Sequence, residues 1–490
     1  MHPTPVPETL ACPWARPAVL SSAQIGRVHE VALDILARGG IRLMYGPSRE
    51  LLHAHGAAVE EARQLVRIPR GLVEQALTSA PRNVTLCSGS DVGKDCHLGP
   101  DGGQYGRPVS GLNWIIDAGA SIRRPVTERD AFNWNRLAHV LPNLQVVSAA
   151  YDQEGHPNSM DVRSVARMLQ STDKPLMMSA VSGEGMRWVK RLTDITQPAG
   201  RHPRVMALSS VNSPLTYGSG QTEAAMRSAE LGIPVAINSS VVAGVSAPVT
   251  IAGALAQMHA EMLAALTIVQ AHRPGAPIIY TGHPLIMDMR TSLASVGFTE
   301  IGLLQAACID LGRHFGLPTG SDGLMTDTCS PDAMAASEKW SSAFLPALAG
   351  ANINAGAGSL ACISTISLEQ LAIDDDIYGR LFRQLRGFTL DEETLAAEVI
   401  ARAGYDASFL GDPHTLAHFR SEYSFSELAN RENAPHWEAM GSKEVLERAA
   451  GQVQHLLSEW QPVIFEKEEH ELSAVLARAE EALEVTELPV

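Results

Sequence analysis

The chain has 490 residues, of which 45% are hydrophobic and 19% are charged, so it carries enough apolar side chains for a large folded core. Its 38 basic and 54 acidic residues give a net charge of −16, which argues against nucleic acids and anionic membranes as partners because both require a positive surface. Six cysteines without a CxxC pair argue against a disulfide framework or a zinc ribbon and predict a reducing cytoplasm.

The N-terminal region predicts a small, mainly helical unit. Apolar residues recur at helical spacing from Ser22 onward, and Gly39-Gly40 supplies a stop. Two further helices are expected over 47–55 and 71–79. Residues 88–111 are rich in Gly, Ser and Asp and predict a loop or linker, with a hairpin as an option.

Neither a targeting segment nor a membrane span is expected. The first twenty residues are rich in proline and lack the apolar centre of a signal peptide. The most apolar long stretch, 233–269, is interrupted by Asn, Pro, Gln, His and Glu residues, so it does not predict a membrane span.

The middle of the chain alternates short apolar runs with segments of helical length. The runs are 144–150, 175–180, 204–211, 234–243, 277–282, 316–327 and 351–360. The helical segments are 158–171, 183–196, 220–231, 248–272, 299–315 and 331–349. Near-continuous apolar strands indicate a parallel sheet buried on both faces, either doubly wound or closed into a barrel. Small and polar residues at the ends of the runs favour the barrel, although the pattern locates seven strands and leaves the eighth unplaced.

The C-terminal region loses the strand pattern, and helices are expected over 391–404, 442–460 and 466–483. The predicted class is therefore α/β, a (β/α)8 TIM barrel with an N-terminal helical extension and C-terminal helices. The predicted regions are an extension and linker over 1–110, a barrel over 111–390 and a helical extension over 391–490. A homo-oligomer is expected because large barrels with added helices often associate.

Strong catalytic motifs are missing, since the sequence contains no P-loop, GxSxG, HExxH or post-strand GxGxxG pattern. His414 and His418 would share a helical face, yet no third ligand is visible, so a packed or surface pair is the simpler interpretation. The acidic run 374–376 predicts a solvated helix start, with magnesium binding as the alternative.

Polar residues at predicted strand ends are better site candidates, because active sites of TIM barrels lie at the carboxyl ends of the strands. As a set they predict a neutral pocket, rich in amides and hydroxyls, for a small polar or zwitterionic molecule. The candidates are Asn212, Asn238, Tyr280, His283, Asp322 and Asn354.

Several segments, in their order along roughly residues 20–460, resemble one known family. They are HEVALDILARGGIRL (29–43), VRIPRGLVEQALTSAP (66–81), DAGASIRRPVTERDA (117–131), GLPTGSDGLMTDTCSPDAMAASEKW (316–340), LPALAGANINAGAGSL (345–360), LAIDDDIYGRL (371–381), DPHTLAHFRSEY (412–423) and WEAMGSKEVLERA (437–449). Together these segments resemble the corrinoid-dependent trimethylamine methyltransferase family. Because the chain contains only ordinary residues, it is similar to the branch without pyrrolysine, which resembles glycine betaine methyltransferases.

The resemblance implies a barrel that moves a methyl group from a quaternary amine to the Co(I) of a separate corrinoid protein. It implies no tightly bound cofactor and no metal in this chain. A quaternary ammonium head favours aromatic faces, for which Tyr280, Trp340, Tyr217, Tyr105 and Trp114 are candidates. Asp322 and Glu300 are candidate counter-charges for the cation. His283, Arg290, Asn212, Asn238 and backbone N–H groups are candidate donors for a betaine carboxylate.

Two other functions stay open at this point. The barrel could bind a betaine without catalysis, or it could be a metal-dependent lyase or hydrolase that uses Asp322, Asp327 and the His414/His418 pair. The methyltransferase hypothesis requires a cavity at the carboxyl rim of the barrel.

Overall fold

Eight parallel strands form the centre of the molecule. The computed structural model describes residues 17–89, 91–405 and 407–485. The strands are β1 (Tyr105–Pro108), β2 (Val147–Ser148), β3 (Leu176–Ser179), β4 (Val205–Val211), β5 (Val235–Ser239), β6 (Ile278–Gly282), β7 (Thr319–Ser321) and β8 (Ile353–Ala357). They pair in sequential order, and β8 returns to pair with β1. The sheet is therefore a (β/α)8 barrel, which confirms the predicted fold class.

Each strand is followed by one helix that packs on the outside of the sheet. The helices are α1 (Glu128–Val140), α2 (Met160–Ser171), α3 (Gly183–Thr196), α4 (Ser219–Glu230), α5 (Ile251–His272), α6 (Thr299–His314), α7 (Ala333–Ala349) and α8 (Leu368–Arg386). Side-chain caps fix several of these starts: Thr127 forms a capping box with Asp130, and Ser182 accepts from the Gly185 N–H. Six of the eight helices match predicted segments within three residues at either end.

The strand that the sequence pattern left unplaced is β1, which lies within the segment predicted as loop or linker. It closes the barrel against the chain just before β2, where the Gln145 and Val146 N–H groups donate to the Gly106 carbonyl at 3.0 and 3.2 Å. A Cβ atom on Gly106 would lie 2.1 Å from the Asn143 carbonyl oxygen, so the seam requires glycine.

A hairpin closes the amino-terminal end of the barrel. Strands Val84–Leu86 and Cys96–Leu98 pair antiparallel, and their apolar residues pack against the lowest inward side chains of the barrel strands. The Tyr105 hydroxyl accepts a hydrogen bond from the His97 N–H at 2.9 Å. Tyr105 therefore belongs to the closed end, and the open end is the carboxyl rim.

The N-terminal residues pack beside the barrel. Predicted helices there are confirmed as Ser22–Asp34, Gly46–Ala54 and Arg70–Ser79. Strands Ile41–Leu43, Ala58–Glu60 and Leu65–Arg67 form a small sheet with Thr216–Tyr217, which follows β4.

Within the described part of residues 387–485, two long helices pack on the barrel, and four short helices bury none of their described residues. The long helices are Val445–Glu459 and Glu466–Glu484, and they bury residues in the main core. The short helices are Glu392–Leu395, Ala397–Ala403, Pro413–Glu422 and Ala434–Ala439. The division into three regions stays a prediction, with β1 falling on the N-terminal side of its first boundary.

Among the described residues, α5 is the one helix with the length and mean hydropathy of a membrane span, and 78% of its most apolar stretch is buried inside the protein. Its polar residues His259, Glu261 and Gln270 are also buried and hydrogen-bonded to neighbouring elements. Core packing therefore accounts for its apolar character.

Candidate functional site at the carboxyl rim of the barrel

The register of the sheet decides which strand residues face the lumen. Asn238, Thr281, Gly320 and Ile353 are aligned across β5 to β8, and Ile353 packs with the inward residues at the closed end. Since residues two apart on a strand share a face, His283 and Asp322 lie one layer higher on the same side. The predicted candidates Asn238, His283 and Asp322 therefore lie together at the top of the lumen.

A buried chain of charged and polar groups crosses this layer. The Arg107 Nη2 group donates to one oxygen of Asp322 at 3.0 Å, and His283 Nδ1 lies 2.9 Å from the other oxygen. Arg107 also donates to the Ser148 hydroxyl at 3.0 Å, which fixes the guanidinium against β2. The arrangement holds a carboxylate between a permanent cation and an imidazole.

The ionised state of Asp322 decides which atom of the His283 ring donates to it. Burial raises the pKa of Asp322, but the hydrogen bond from His283 and the charge of Arg107 outweigh that effect and hold the pKa below its ordinary value. An ionised carboxylate only accepts hydrogen bonds, so His283 Nδ1 carries a proton that it donates to Asp322. The Nε2 atom is left as the atom that His283 presents away from Asp322.

Three buried polar atoms of this layer and of the layer below it have no hydrogen-bond partner among the described residues: Arg107 Nε, Asn238 Oδ1 and His283 Nε2. Buried polar atoms are normally paired, so three unpaired atoms in adjacent layers indicate a place for a ligand or for ordered water. A small internal cavity below them is lined by Arg107, Met177, Met206, Leu208, Ala236, Ile279, Thr281, Gly320, Ser321, Asp322 and Ile353. The lining combines a charged pair with polarisable methionines, and it contains no aromatic ring.

The neighbouring register row points the other way, toward the helices. It runs through Ser239, Gly282, Ser321 and Asn354. The Ser239 hydroxyl donates to Glu261 of α5, and a Cβ atom on Gly282 would meet Cys308 of α6. Asn354 is likewise buried, with its amide donating to the Ala351 carbonyl at 3.3 Å. The row therefore supports the strand–helix contact rather than the lumen.

Tyr280 follows the same outward direction. Its side chain is fully buried, and its hydroxyl lies 2.7 Å from His259 Nδ1 of α5. His259 in turn lies 3.0 Å from His29 of the first N-terminal helix. Tyr280 thus anchors the barrel wall to its surroundings and lies outside the lumen cluster.

The remaining predicted residues also lie away from the lumen cluster. Asn212 is exposed in a tight turn after β4 and exchanges backbone hydrogen bonds with Thr216. Trp340 is half-buried on α7, where its ring stacks on Phe344. Tyr217 is buried with its hydroxyl donating to the Glu261 carbonyl, and Trp114 lies under Arg123 near the rim.

Sequence reasoning missed Arg107, Ser148 and Tyr151. Arg107 lies on β1, which has no apolar run, and Ser148 lies inside the predicted run 144–150 rather than at its end. Tyr151 directly follows the predicted run 144–150, and its hydroxyl accepts from the Ser179 N–H at 3.3 Å at the end of β3. Its position after a strand end was the available signal.

An open groove of about 470 Å³ lies among the rim loops that follow β6, β7 and β8. Its lining includes Asp288, Arg290, Phe298, Asp327 and Glu338, together with residues 361 and 362. The groove lies at the carboxyl rim, and none of its lining residues belongs to the lumen cluster.

A fully buried ion pair supports two of these loops. Lys339 of α7 donates to Asp374 of α8 at 2.8 Å and to the Leu324 carbonyl at 2.8 Å, while Asp374 also accepts the Gly358 N–H at 2.6 Å. Both side chains are 0% exposed. The prediction of a solvated helix start for 374–376 is therefore wrong, because Asp374 and Asp375 are buried in the middle of a long helix.

The geometry gives little support to a metal centre. Within 17–89, 91–405 and 407–485, no group of three or more His, Cys, Asp or Glu residues is arranged to hold a metal ion. His414 and His418 lie side by side on the helix Pro413–Glu422, and His418 Nε2 is 3.2 Å from Glu393 of the helix Glu392–Leu395.

Comparisons with known proteins agree with this architecture. A family model described as "Trimethylamine methyltransferase (MTTB)" matches residues 5–484. Trimethylamine methyltransferase MttB of Desulfitobacterium hafniense is 30% identical over 455 residues, covering 91% of this chain and 90% of that protein. Glycine betaine methyltransferase of another strain of the same species is 29% identical over 474 residues, covering 94% and 96%.

A solved structure shows the same fold. The monomethylamine methyltransferase MtmB of Methanosarcina barkeri aligns with a TM-score of 0.50 at 10% identity, covering 90% of this chain and 93% of that one. At that identity the likeness concerns the fold alone. The family match extends over nearly the whole chain, and the chain therefore belongs to the trimethylamine methyltransferase family.

Proposed function

We propose that the protein transfers a methyl group from a quaternary amine similar to glycine betaine to the Co(I) of a separate corrinoid protein. The observation that carries the proposal is the Arg107–Asp322–His283 chain, which places an ionised, buried carboxylate at the lumen of a barrel of this family. The relatives named for trimethylamine and glycine betaine give the substrate class.

A quaternary ammonium is a suitable methyl donor because it leaves as a neutral tertiary amine. The reduced corrinoid, a second substrate carried by another protein, supplies the nucleophile. This chain has to bind the cation, exclude water and aim one N–CH3 bond at the open rim. Rigid alignment of that kind contributes up to about 7–11 kcal/mol in favourable cases.

The charges of the lumen suit a zwitterion. Asp322 is the counter-charge for the ammonium, and the unpartnered Arg107 Nε–H is a donor for a carboxylate. Asn238 Oδ1 is an acceptor that favours the polarised methyl groups of the cation, and His283 Nε2 is a second buried polar atom without a partner among the described residues. Met177 and Met206 provide soft contact surface where the sequence suggested aromatic rings.

The rim groove is the proposed approach for the corrinoid protein, since it is the open cavity beside the lumen loops. The corrinoid is proposed to be carried by that partner, with no cofactor held tightly by this chain. The surroundings proposed for the reaction are cytoplasmic, in keeping with the free cysteines of the described residues.

The test is a spectroscopic transfer assay. The purified protein is mixed with its reduced corrinoid partner and, in turn, with glycine betaine, proline betaine, carnitine, choline or trimethylamine. The expected result is conversion of the Co(I) spectrum to the methylated form with at least one quaternary amine, and slower conversion by Asp322→Asn at limiting amine. Absence of conversion with every amine defeats the proposal.

The two alternatives correspond to other outcomes of the same experiment. Saturable thermal stabilisation by a betaine without transfer to any corrinoid would indicate a binding barrel. One equivalent of a divalent metal in the purified protein would revive a metal-dependent enzyme.

A further inference from the structure

Left-handed backbone conformations are concentrated on three loops of the carboxyl rim. Across 17–89, 91–405 and 407–485, nine non-glycine residues have a positive φ. Five of them lie on the loops that follow β6, β7 and β8, namely Ser292, Leu324, Ala361, Cys362 and Ile363. Strained backbone of this kind persists only where its surroundings enforce it, and it is typical of active sites, clamps and switch regions.

The loop after β8 contains the most unusual of these conformations. Ala361, Cys362 and Ile363 have φ values of 52°, 49° and 54°, so three consecutive residues form a left-handed turn. Residues other than glycine enter this region singly, and each is disfavoured there by about 5- to 30-fold. Ile363 is also β-branched, which makes the conformation still less favourable. These three residues are here called the left-handed turn.

Hydrogen bonds to the two neighbouring loops hold the left-handed turn in place. The Ala361 N–H donates to the Thr328 carbonyl at 2.7 Å, and the Cys362 N–H donates to the Thr326 carbonyl at 3.0 Å. The Cys362 thiol donates to the Ala294 carbonyl of the loop after β6 at 3.1 Å. These bonds between loops balance the strain, and breaking them releases it.

The two neighbouring loops form a firm frame around the turn. The Asp327 carboxylate accepts from the Val296 and Gly297 N–H groups at 2.9 and 3.2 Å, which joins the loop after β7 to the loop after β6. Glu338 of α7 accepts from the Thr326 hydroxyl at 2.6 Å and from the Asp327 N–H at 3.0 Å. Hydrogen bonds to ionised groups are stronger than neutral ones, so these two loops are fixed to each other and to α7.

The groove and the lumen are separate spaces in this structure. The groove and the small internal cavity have no lining residue in common. A small apolar cluster is here called the partition. It consists of Leu285, Val296 and Met325 together with the residues packed against them, which include Ala294, Cys362 and Ile363.

The partition borders both spaces. On one side, Cys362 lines the groove. On the other side, Leu285 follows the lumen residue His283 by two positions, and Met325 follows Asp322 by three. The partition therefore lies between the groove and the lumen cluster, and the left-handed turn supplies part of it.

We propose that the left-handed turn is a gate, which opens by relaxing to an ordinary backbone conformation and thereby withdraws Cys362 and Ile363 from the partition. Opening connects the groove with the lumen. The stored strain favours this movement, and the frame confines it to the loop after β8. The role of the gate rests on the proposed function, because methyl transfer requires a path from the rim to the amine.

The Cys362 thiol reports the opening. In the closed turn it is half-buried and hydrogen-bonded, and burial, followed by the charge of Asp327, raises its pKa to about 11. Alkylation requires the thiolate, so iodoacetamide is expected to react slowly with the closed turn and quickly with the open one. Peptide mass spectrometry of the alkylated full chain distinguishes Cys362 from the other five cysteines.

The decisive variant is Ala361→Gly. Glycine normally loosens a loop by adding backbone freedom, but at a left-handed position it removes strain from the closed state. Alkylation of Cys362 is therefore expected to slow at least about threefold in Ala361→Gly and in Ala361→Asn, since asparagine also tolerates this region. The matched control Ala294→Gly lines the same groove from a short β-strand, and it is expected to leave the rate unchanged or raise it.

Unchanged or faster alkylation in Ala361→Gly overturns the proposal, as does equal slowing in the control or a wild-type Cys362 that reacts only in denaturing urea. Hydrogen exchange is the second readout. The Ala361 and Cys362 amides are expected to exchange through a local opening that low urea leaves unchanged, and exchange that follows global unfolding also overturns the proposal. Both measurements use the protein alone, so their failure is distinct from failure of the methyl transfer assay.

Discussion

Replacing Asp322 by Asn separates the structural role of this carboxylate from its role toward a cation. In the native structure its two oxygens accept from Arg107 and His283 at 3.0 and 2.9 Å. An asparagine has one acceptor oxygen, so its amide nitrogen faces one of the two donors. The buried guanidinium also loses its counter-charge, a change that typically costs about 3–5 kcal/mol of folding stability.

The effect on amine binding follows from Coulomb's law. A quaternary ammonium about 5 Å from the Asp322 carboxylate, at an effective dielectric constant of about 20, gains about 3 kcal/mol. Removing the charge is therefore expected to raise the Kd of the amine by about two orders of magnitude. Urea denaturation measures the stability change, and calorimetric titration with the best amine of the panel measures the affinity.

A second variant distinguishes the two effects. Arg107→Met combined with Asp322→Asn removes both charges, so it is expected to recover most of the stability while amine binding stays weak. Asp376→Asn is the matched control, because Asp376 pairs with Arg380 on the surface of α8. If Asp322→Asn binds the amine within about threefold of wild type, Asp322 is not the counter-charge, and the electrostatic argument for the lumen fails.

Three further predictions concern stability. Lys339→Met is expected to lower the free energy of unfolding in urea by about 3–5 kcal/mol, because it leaves the buried charge of Asp374 without a partner. The double variant Lys339→Met/Asp374→Asn is expected to recover part of that stability. A loss below about 1 kcal/mol in the single variant would contradict the prediction. Gly358→Ala is expected to destabilise by about 2–4 kcal/mol, since Gly358 has φ +79° and its Cβ would lie 2.3 Å from the Trp134 ring, whereas Gly451→Ala in open helical surroundings is expected to be neutral or stabilising. Burial lowers the pKa of His139 from 6.5 to about 4. The folding stability present above about pH 6.5 is therefore expected to fall by up to about 3 kcal/mol as the pH drops to 4. In urea denaturation, His139→Gln is expected to flatten this pH dependence, whereas the control His55→Gln, at an exposed histidine, is not.

The barrel was predictable because its strands and helices alternate with the expected lengths over more than 200 residues. The strand β1 was not, since Tyr-Gly-Arg-Pro contains neither an apolar run nor a β-branched residue. Its place in the sheet depends on pairing with β8, some 250 residues later, which no local pattern reports. The loss of β1 from the prediction also removed Arg107 from the candidate site.

The sequence also did not predict which strand residues face the lumen and which face the helices. Both faces of a parallel strand in a barrel are buried, so the apolar run 277–282 carries no alternation to separate Tyr280 from Thr281. Position at a strand end still identified His283 and Asp322, because that signal depends on the end of the run rather than on its parity. The prediction that Asp374 is exposed was wrong for a related reason. Its partner Lys339 is 35 residues away, so the local run of acidic residues indicated a solvent-exposed segment.

The two ends of the barrel differ in how far they are closed. At the amino-terminal end, the hairpin packs against the inward residues of the strands and closes the lumen. At the carboxyl end, buried polar atoms without partners among the described residues lie at the top of the lumen, and an open groove lies among the rim loops. The methyl transfer proposed above therefore requires the corrinoid protein to approach from the carboxyl rim.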